Sequence, residues 1–249
     1  MKFQKFFSFI IICIMPHTFL YGQAKERHFG EIAGIALPSA MITYGLISLG
    51  DNGIREIDYR TRHSLEINNR FWHTHVDDYM QFTPALAAYT LKLCNVESAH
   101  NLLDMTILYG FSSILAGSII SQTKTMTARE RPDHSNNLSF PSGHTQTAFV
   151  AAEFLHQEYK NQSVWISIGG YSAATFVGIA RVHNNKHWVS DVVAGAGIGI
   201  LSTKFVYWIY PYFRKKSEKN EKNDQALQTF VFPGYSNGNI SLNLKILWF

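Results

Sequence analysis

In the stretch RVHNNKHWVSD an arginine, a histidine and an aspartate stand at fixed intervals: Arg181, His187 and Asp191. If the stretch opens a helix, His187 and Asp191 share one face, because residues four apart are neighbours on a helix surface. A carboxylate beside an imidazole fixes its tautomer and makes the free ring nitrogen a better base or nucleophile. An arginine close by holds an oxyanion through two parallel hydrogen bonds. Together the three side chains describe a histidine aimed at an anionic centre.

Two further clusters precede this one. KTMTARERP carries Lys124 and, after six intervening residues, Arg131 followed by Pro132. PSGH, Pro141 to His144, sets a Ser-Gly turn at a helix start. A helix N-terminus presents free backbone N–H groups and the positive end of the dipole, which suits a phosphate. Three fixed cations offset the charge of a phosphoryl group without a metal ion, so neither a metal nor another cofactor is expected. In this reading His187 attacks phosphorus while Asp191 holds its other nitrogen and stabilises the cationic ring. His144 protonates the leaving oxygen, a transfer that typically contributes ~10²–10⁴-fold. It then acts as base for the water that hydrolyses the phosphohistidine. Lys124, Arg131, Arg181 and the backbone around Ser142 and Gly143 hold the equatorial oxygens, where charge sits in the transition state.

These motifs resemble the type 2 phosphatidic acid phosphatase (PAP2) superfamily, which also contains bacterial non-specific acid phosphatases and vanadium haloperoxidases. The family pattern is K-x6-R-P, then P-S-G-H, then S-R-x5-H-x3-D. The chain matches at Lys124, Arg131, Pro132, Pro141, Ser142, Gly143, His144, Arg181, His187 and Asp191, and departs at Ala180, where the pattern has serine. That departure predicts weaker phosphate affinity with activity retained. The resemblance covers roughly Leu102 to Tyr210. It implies an all-helical core and a metal-independent phosphomonoesterase or pyrophosphatase acting on a lipid-linked or small phosphate ester. A vanadate-dependent haloperoxidase shares the same oxyanion site and is one rival; a non-catalytic envelope protein is the other.

Other residues invite weaker readings. In FWHTHVDD, His73, His75, Asp77 and Asp78 have the types of a metal site, but no further ligand set is evident, and a polar loop capping the next helix near Asp78 is the preferred reading. Arg129 and His183 fall off the pattern and are read as surface or rim residues.

The elements that must position these groups are helices. Uncharged segments run over 32–50, 105–123 and 163–180; Tyr79 to Leu93 is amphipathic and interrupted by Pro84. Thr145 to Tyr159 reads as a helix whose Glu153, His156 and Glu158 make it a poor membrane span, and Trp188 to Tyr210 as a long apolar helix with Ala194, Gly195, Ala196, Gly197 and Gly199. Small residues let helices approach closely. RKKSEKNEKND then reads as a charged linker. Beyond it Asn237-Gly238 is a type I′ turn signal, and the alternation of Ile240, Leu242, Leu244, Ile246 and Trp248 predicts a C-terminal β-hairpin laid on the helical body. The expected fold is an all-α bundle with a short C-terminal hairpin. Its expected divisions are a leader over 1–23, an N-terminal helical region over 24–100, a phosphatase core over 101–210, a linker over 211–227 and the hairpin over 228–249.

Lys2 and Lys5 before the apolar run Phe6 to Met15, with Gly22 and Ala24 following, read as an export signal peptide. Its removal would leave Cys94 without a partner. The net charge of +4 is mild support for an anionic substrate or surface, and nothing suggests nucleic-acid binding. Mean hydropathy is only −0.06, which argues against a body made mostly of spans of ~20 apolar residues each. The expected location is the periplasm, peripheral to or embedded in the inner membrane, with an integral protein whose site faces the periplasm as the alternative. The expected partners are a phosphorylated lipid or small phosphate ester and the membrane surface. Substrate identity and oligomeric state are not legible.

Overall fold

The computed structural model describes residues 29–72, 74–223, 228–236 and 239–247, with side chains over 34–72 and 74–214. The leader, His73 and the Asn237-Gly238 turn lie outside the described residues. The chain forms eight helices among them: α1 (Phe29–Ile47), α2 (Gly53–Ile67), α3 (Val76–Met80), α4 (Thr83–Leu93), α5 (Leu102–Thr127), α6 (Gly143–Tyr159), α7 (Val164–His183) and α8 (Val189–Asn223). Strands β1 (Gln228–Ser236) and β2 (Asn239–Leu247) pair antiparallel, with Ser236 opposite Asn239. The body is all-helical.

Local chemistry sets the boundaries. Asn52 accepts from the amides of Ile54 and Arg55, starting α2. Asn101 caps α5 through the amide of Asp104, and Ser163 caps α7 through that of Trp165. Each such cap is worth ~1 kcal/mol. Pro84 lies in the first turn of α4, where its missing N–H costs nothing, and the predicted amphipathic segment is therefore split into α3 and α4. Ala128 ends α5 in the left-handed region, φ 44°, with its N–H bonded to Lys124 O at 3.0 Å. That turn reverses the chain directly ahead of Arg129. The charged stretch expected as a linker continues α8 as helix as far as Asn223.

Helix α6 is the hub, packed against α4, α5, α7 and α8. Its Ala148, Val150, Ala151, Ala152, Phe154, Leu155 and Tyr159 are all within 2% of full burial. The three polar side chains that made this helix a poor candidate span, Glu153, His156 and Glu158, are compensated in place. Glu153 receives Lys204 Nζ at 2.9 Å, and Glu158 receives His100 Nδ1 at 2.9 Å and the Tyr207 hydroxyl at 2.6 Å. His156 shares a 2.8 Å hydrogen bond with Ser167 Oγ. Paired charges survive burial where lone ones would not. On α8 a Cβ at Gly199 would fall 2.6 Å from Gln146 O, so the α6–α8 approach requires glycine there.

Candidate active site

The motif residues sit at helix termini that share one end of the bundle. Lys124 lies in the last turn of α5, Ser142 caps the start of α6, Arg181 lies in the last turn of α7 and Asp191 in the first turn of α8. Successive antiparallel helices bring every second terminus together, so residues from four helices meet without any long excursion of chain.

His187 stands in the turn before α8 and not inside it, so the i,i+4 helix face expected for His187 and Asp191 does not form. Instead the Asp191 carboxylate reaches back, accepting the Trp188 N–H at 3.0 Å, and lies 3.5 Å from His187 Nδ1. That separation exceeds a hydrogen bond, and Nδ1 is buried without a partner. The Asp191 carboxylate also accepts from Ser139 Oγ and from Arg129 Nη1, the latter at 2.7 Å. Full burial pushes the His187 imidazolium pKa down to about 4, Asp191 opposing and the Lys124 and Arg181 charges reinforcing the effect. His187 is therefore neutral near pH 7, the form a nucleophile requires.

The cations surround it. Arg181 is buried, its Nη1 on Asp77 and its Nε without a partner. Arg131 Nε is likewise buried and unpartnered. Burial and the neighbouring Arg181 charge depress the Arg131 pKa. Lys124 Nζ donates to Leu138 O. Ser142 donates its N–H to Asp191 O at 3.0 Å, and its hydroxyl accepts from Thr145 Oγ1 at 2.9 Å, which orients the start of α6 and the amides of Gly143 and His144. A Cβ at Gly195 would meet Ser142 O at 2.5 Å, so α8 can lie against this turn only with glycine at that position. Ala180 is fully buried and brings no hydroxyl.

Three residues belong to this site that the sequence did not assign to it. Asp77 and Asp78 of α3 do not cap a helix as expected. Asp77 meets Arg181 and Asn184, and Asp78 Oδ1 lies 2.8 Å from His144 Nε2. Asp77, Asp78 and His144 bring three donor atoms within 4.8 Å of one another. A metal does not fit there, because the Arg181 guanidinium already lies against Asp77 and 3.9 Å from Asp78. The third is Arg129, expected at the surface. Its side chain is largely enclosed, spanning Asp58 and Asp191 at 2.7 Å each, reaching Ser190 Oγ at 2.8 Å, and lying over the Trp188 ring. Its position two residues before Arg131 was the available signal. His183 stacks on Trp72 at 4.3 Å, away from these groups.

The chain is similar to known proteins in sequence and in fold. Residues 105–215 match the family model of the PAP2 superfamily. Lipid A 1-phosphatase of Porphyromonas gingivalis is 34% identical over 202 residues, 79% of this chain and 44% of that protein. Phosphatidylglycerophosphatase B of Bacillus subtilis is 37% identical over 91 residues, 31% of this chain and 44% of that protein. The chain thus spans under half the length of these curated relatives. In structure, the transmembrane PAP2 type phosphatidylglycerolphosphate phosphatase from Bacillus subtilis is similar with a TM-score of 0.50 at 21% identity, over 71% of this chain and 96% of that one. That likeness is one of fold. With the three ordered motifs all inside the matched region, residues 105–215 are of the PAP2 superfamily.

Proposed function

We propose that this chain hydrolyses a phosphate monoester or pyrophosphate carried by a lipid, without a metal ion and through a phosphohistidine on His187. The observation that carries the reading is the pair of buried guanidinium nitrogens, Nε of Arg131 and Nε of Arg181, left without acceptors beside a neutral, buried His187. Each unsatisfied buried donor of this kind costs ~1–3 kcal/mol or more, and a phosphoryl group supplies the missing acceptors.

The chemistry follows from position. The lone pair of His187 Nε2 forms a bond to phosphorus as the P–O bond to the alcohol breaks. The imidazolium that results gains the Asp191 carboxylate as partner once the 3.5 Å gap closes. Lys124, Arg131, Arg181 and the first amides of α6 stabilise the equatorial oxygens. His144 gives its proton to the departing oxygen, then takes one from the water that attacks the phosphohistidine, releasing phosphate.

A lipid substrate is supported by what covers the outside of the bundle. Leu102–Thr127 and Val189–Arg214 are long and apolar enough to cross a membrane, and only a third of the apolar window of the first is buried. Phe111 and Ile114 of α5, and Trp165 and Ile168 of α7, are exposed. Patches of this sort mark contact with lipid or protein. Low mean hydropathy, which argued for few spans, reflects the polar helix ends and tail more than these faces. We read α5 and α8 as crossing the inner membrane, with the site at their periplasmic ends, where lipid phosphates lie.

The test is phosphate release from phosphatidate, phosphatidylglycerol phosphate, undecaprenyl pyrophosphate, lipid A and a soluble monoester, each with chelator present. Release from at least one lipid supports the reading; release from none, by folded protein, overturns it.

A further inference from the structure

From the α3 geometry we infer that Asp78 is the positioning residue of the general acid, forming a carboxylate–imidazole dyad with His144. The inference rests on the phosphatase reading of the site. Asp78 lies outside all three motifs, 66 residues from His144 in sequence, yet its Oδ1 is 2.8 Å from His144 Nε2. Its other oxygen, Oδ2, accepts from His75 Nδ1 at 3.1 Å, which fixes the carboxylate from the solvent side. The neighbouring Asp77 is held from the opposite direction by Arg181 and Asn184, which anchors α3 over the site.

A carboxylate at Nε2 keeps the proton there and leaves Nδ1 as the only nitrogen that can face substrate. In the phosphorylation step Nδ1–H passes its proton to the leaving alkoxide oxygen as the P–O bond breaks and the bond from His187 to phosphorus forms. His144 becomes neutral, with Nε2–H still on Asp78. In the second step Nδ1 takes a proton from water, whose oxygen bonds to phosphorus as the bond to His187 breaks. Atoms and charge balance without any further reactant.

The charged groups facing His144 are Asp77 and Asp78 from α3 and Arg181 from α7, with His75 behind Asp78. Burial lowers the His144 pKa and Arg181 adds to that, while Asp78 opposes both. Burial raises the Asp78 pKa, but its hydrogen bonds from His75 and His144 outweigh this and hold it below the usual carboxylate value. Asp78 therefore stays ionised and acts to retain the proton that His144 must deliver.

The experiment compares an alkyl phosphate with 4-nitrophenyl phosphate in wild type, Asp78→Asn and Asp78→Glu, reading kcat/KM so that only steps up to phosphorylation count. An alkoxide needs its proton; nitrophenolate leaves without one. Asp78→Asn is expected to lower kcat/KM for the alkyl ester by ~10–100-fold, part of the ~10²–10⁴-fold a general acid provides, and for the aryl ester by no more than a few-fold. The alkaline limb of its pH profile moves to lower pH, and Asp78→Glu recovers part of the alkyl activity. Equal losses on both esters, in an enzyme whose wild type is active, overturn the role of Asp78 and leave the phosphatase reading intact. A wild type inactive on both esters and on the lipid panel overturns the phosphatase reading itself.

Discussion

Arg129 and Asp58 meet at 2.7 Å in the interior, and the same guanidinium meets Asp191 at 2.7 Å. One cation therefore ties Asp191, beside His187, to a carboxylate on α2, a helix outside the matched family region. Asp58 also accepts from the N–H of Ser190 at 3.0 Å, one residue before Asp191. Arg129→Ala would leave two buried carboxylates without their cation. Breaking a buried pair from one side typically costs ~3–5 kcal/mol. We expect a large drop in melting temperature in detergent, with part of it recovered in Arg129→Ala/Asp58→Asn, because the double variant removes one stranded charge. Absence of any coupling between the two positions would mean the bridge is not energetically engaged.

How much of this was open to reading in the sequence differs by residue, for physical reasons. The gathering of Lys124, Ser142, Arg181 and Asp191 at one end of the bundle was legible because each falls where the pattern starts or stops a helix, and the order of the three motifs along the chain is distinctive. Asp58 was not: one aspartate in a polar amphipathic helix looks solvated until α2 packs against α8. Asp77 and Asp78 resembled a capping pair, and nothing local says that α3 folds over the site. Helix α6 was found, but not its central place, since the partners that make Glu153 and Glu158 tolerable come from other elements. The split at Pro84 was legible because proline acts on its own backbone.

His187→Ala is expected to abolish turnover, whereas His144→Ala should separate the two chemical steps. With 4-nitrophenyl phosphate the leaving group needs no proton, so His187 is still phosphorylated, but the second step lacks its base. One equivalent of nitrophenolate should appear in a burst, followed by a slow phase, with acid-labile phosphate on the protein. Near-normal steady turnover by folded His187→Ala would falsify the covalent mechanism.

Activity should persist in chelator. Lys124, Arg131 and Arg181 supply the positive charge that a metal would otherwise provide, and Arg181 already compensates Asp77. The measurement is initial rate after dialysis against EDTA, with and without added zinc or magnesium. Loss on dialysis and recovery with a metal would show that these cations do not suffice.

The pH profile carries a sign that can be worked out. The nucleophile must be neutral, and burial holds the His187 pKa down to about 4; activity on this limb is lost as pH falls through that region. The acid must be protonated, and burial sets the His144 pKa below its ordinary value; activity on that limb is lost as pH rises. The expected kcat/KM profile is a bell on the acidic side of neutrality, since kcat/KM reports the free enzyme. Bound phosphate favours protonated His144, so the alkaline limb of kcat should lie at higher pH than that of kcat/KM. Asp191→Asn removes the carboxylate that opposes the fall in His187, so its acid limb should move to still lower pH while the rate drops. An acid limb at or above the ordinary histidine value would contradict the buried, neutral nucleophile.

Location is the last prediction, and it turns on the outer faces of the bundle. Leu102–Thr127 of α5 and Val189–Arg214 of α8 are apolar segments of 26 residues each, about 39 Å at 1.5 Å per residue, enough for a hydrocarbon core of ~30 Å. A water-soluble bundle of this size would hide Phe111 and Ile114, yet both are more than 60% exposed, as is Trp165 on α7. Lys124 lies near the end of α5, and Asp191 near the start of α8, so these two motif residues lie at the same end of the two apolar segments. A lipid phosphate at the bilayer surface would reach that end without leaving the membrane. Extraction is therefore expected to require detergent, with high-salt or carbonate washes leaving the protein in the membrane pellet. In intact cells, a membrane-impermeant thiol reagent should label a cysteine placed at Leu138, whose carbonyl meets Lys124. Release by carbonate would return the chain to a peripheral position, and protection of that cysteine until the cells are opened would place the site on the cytoplasmic side.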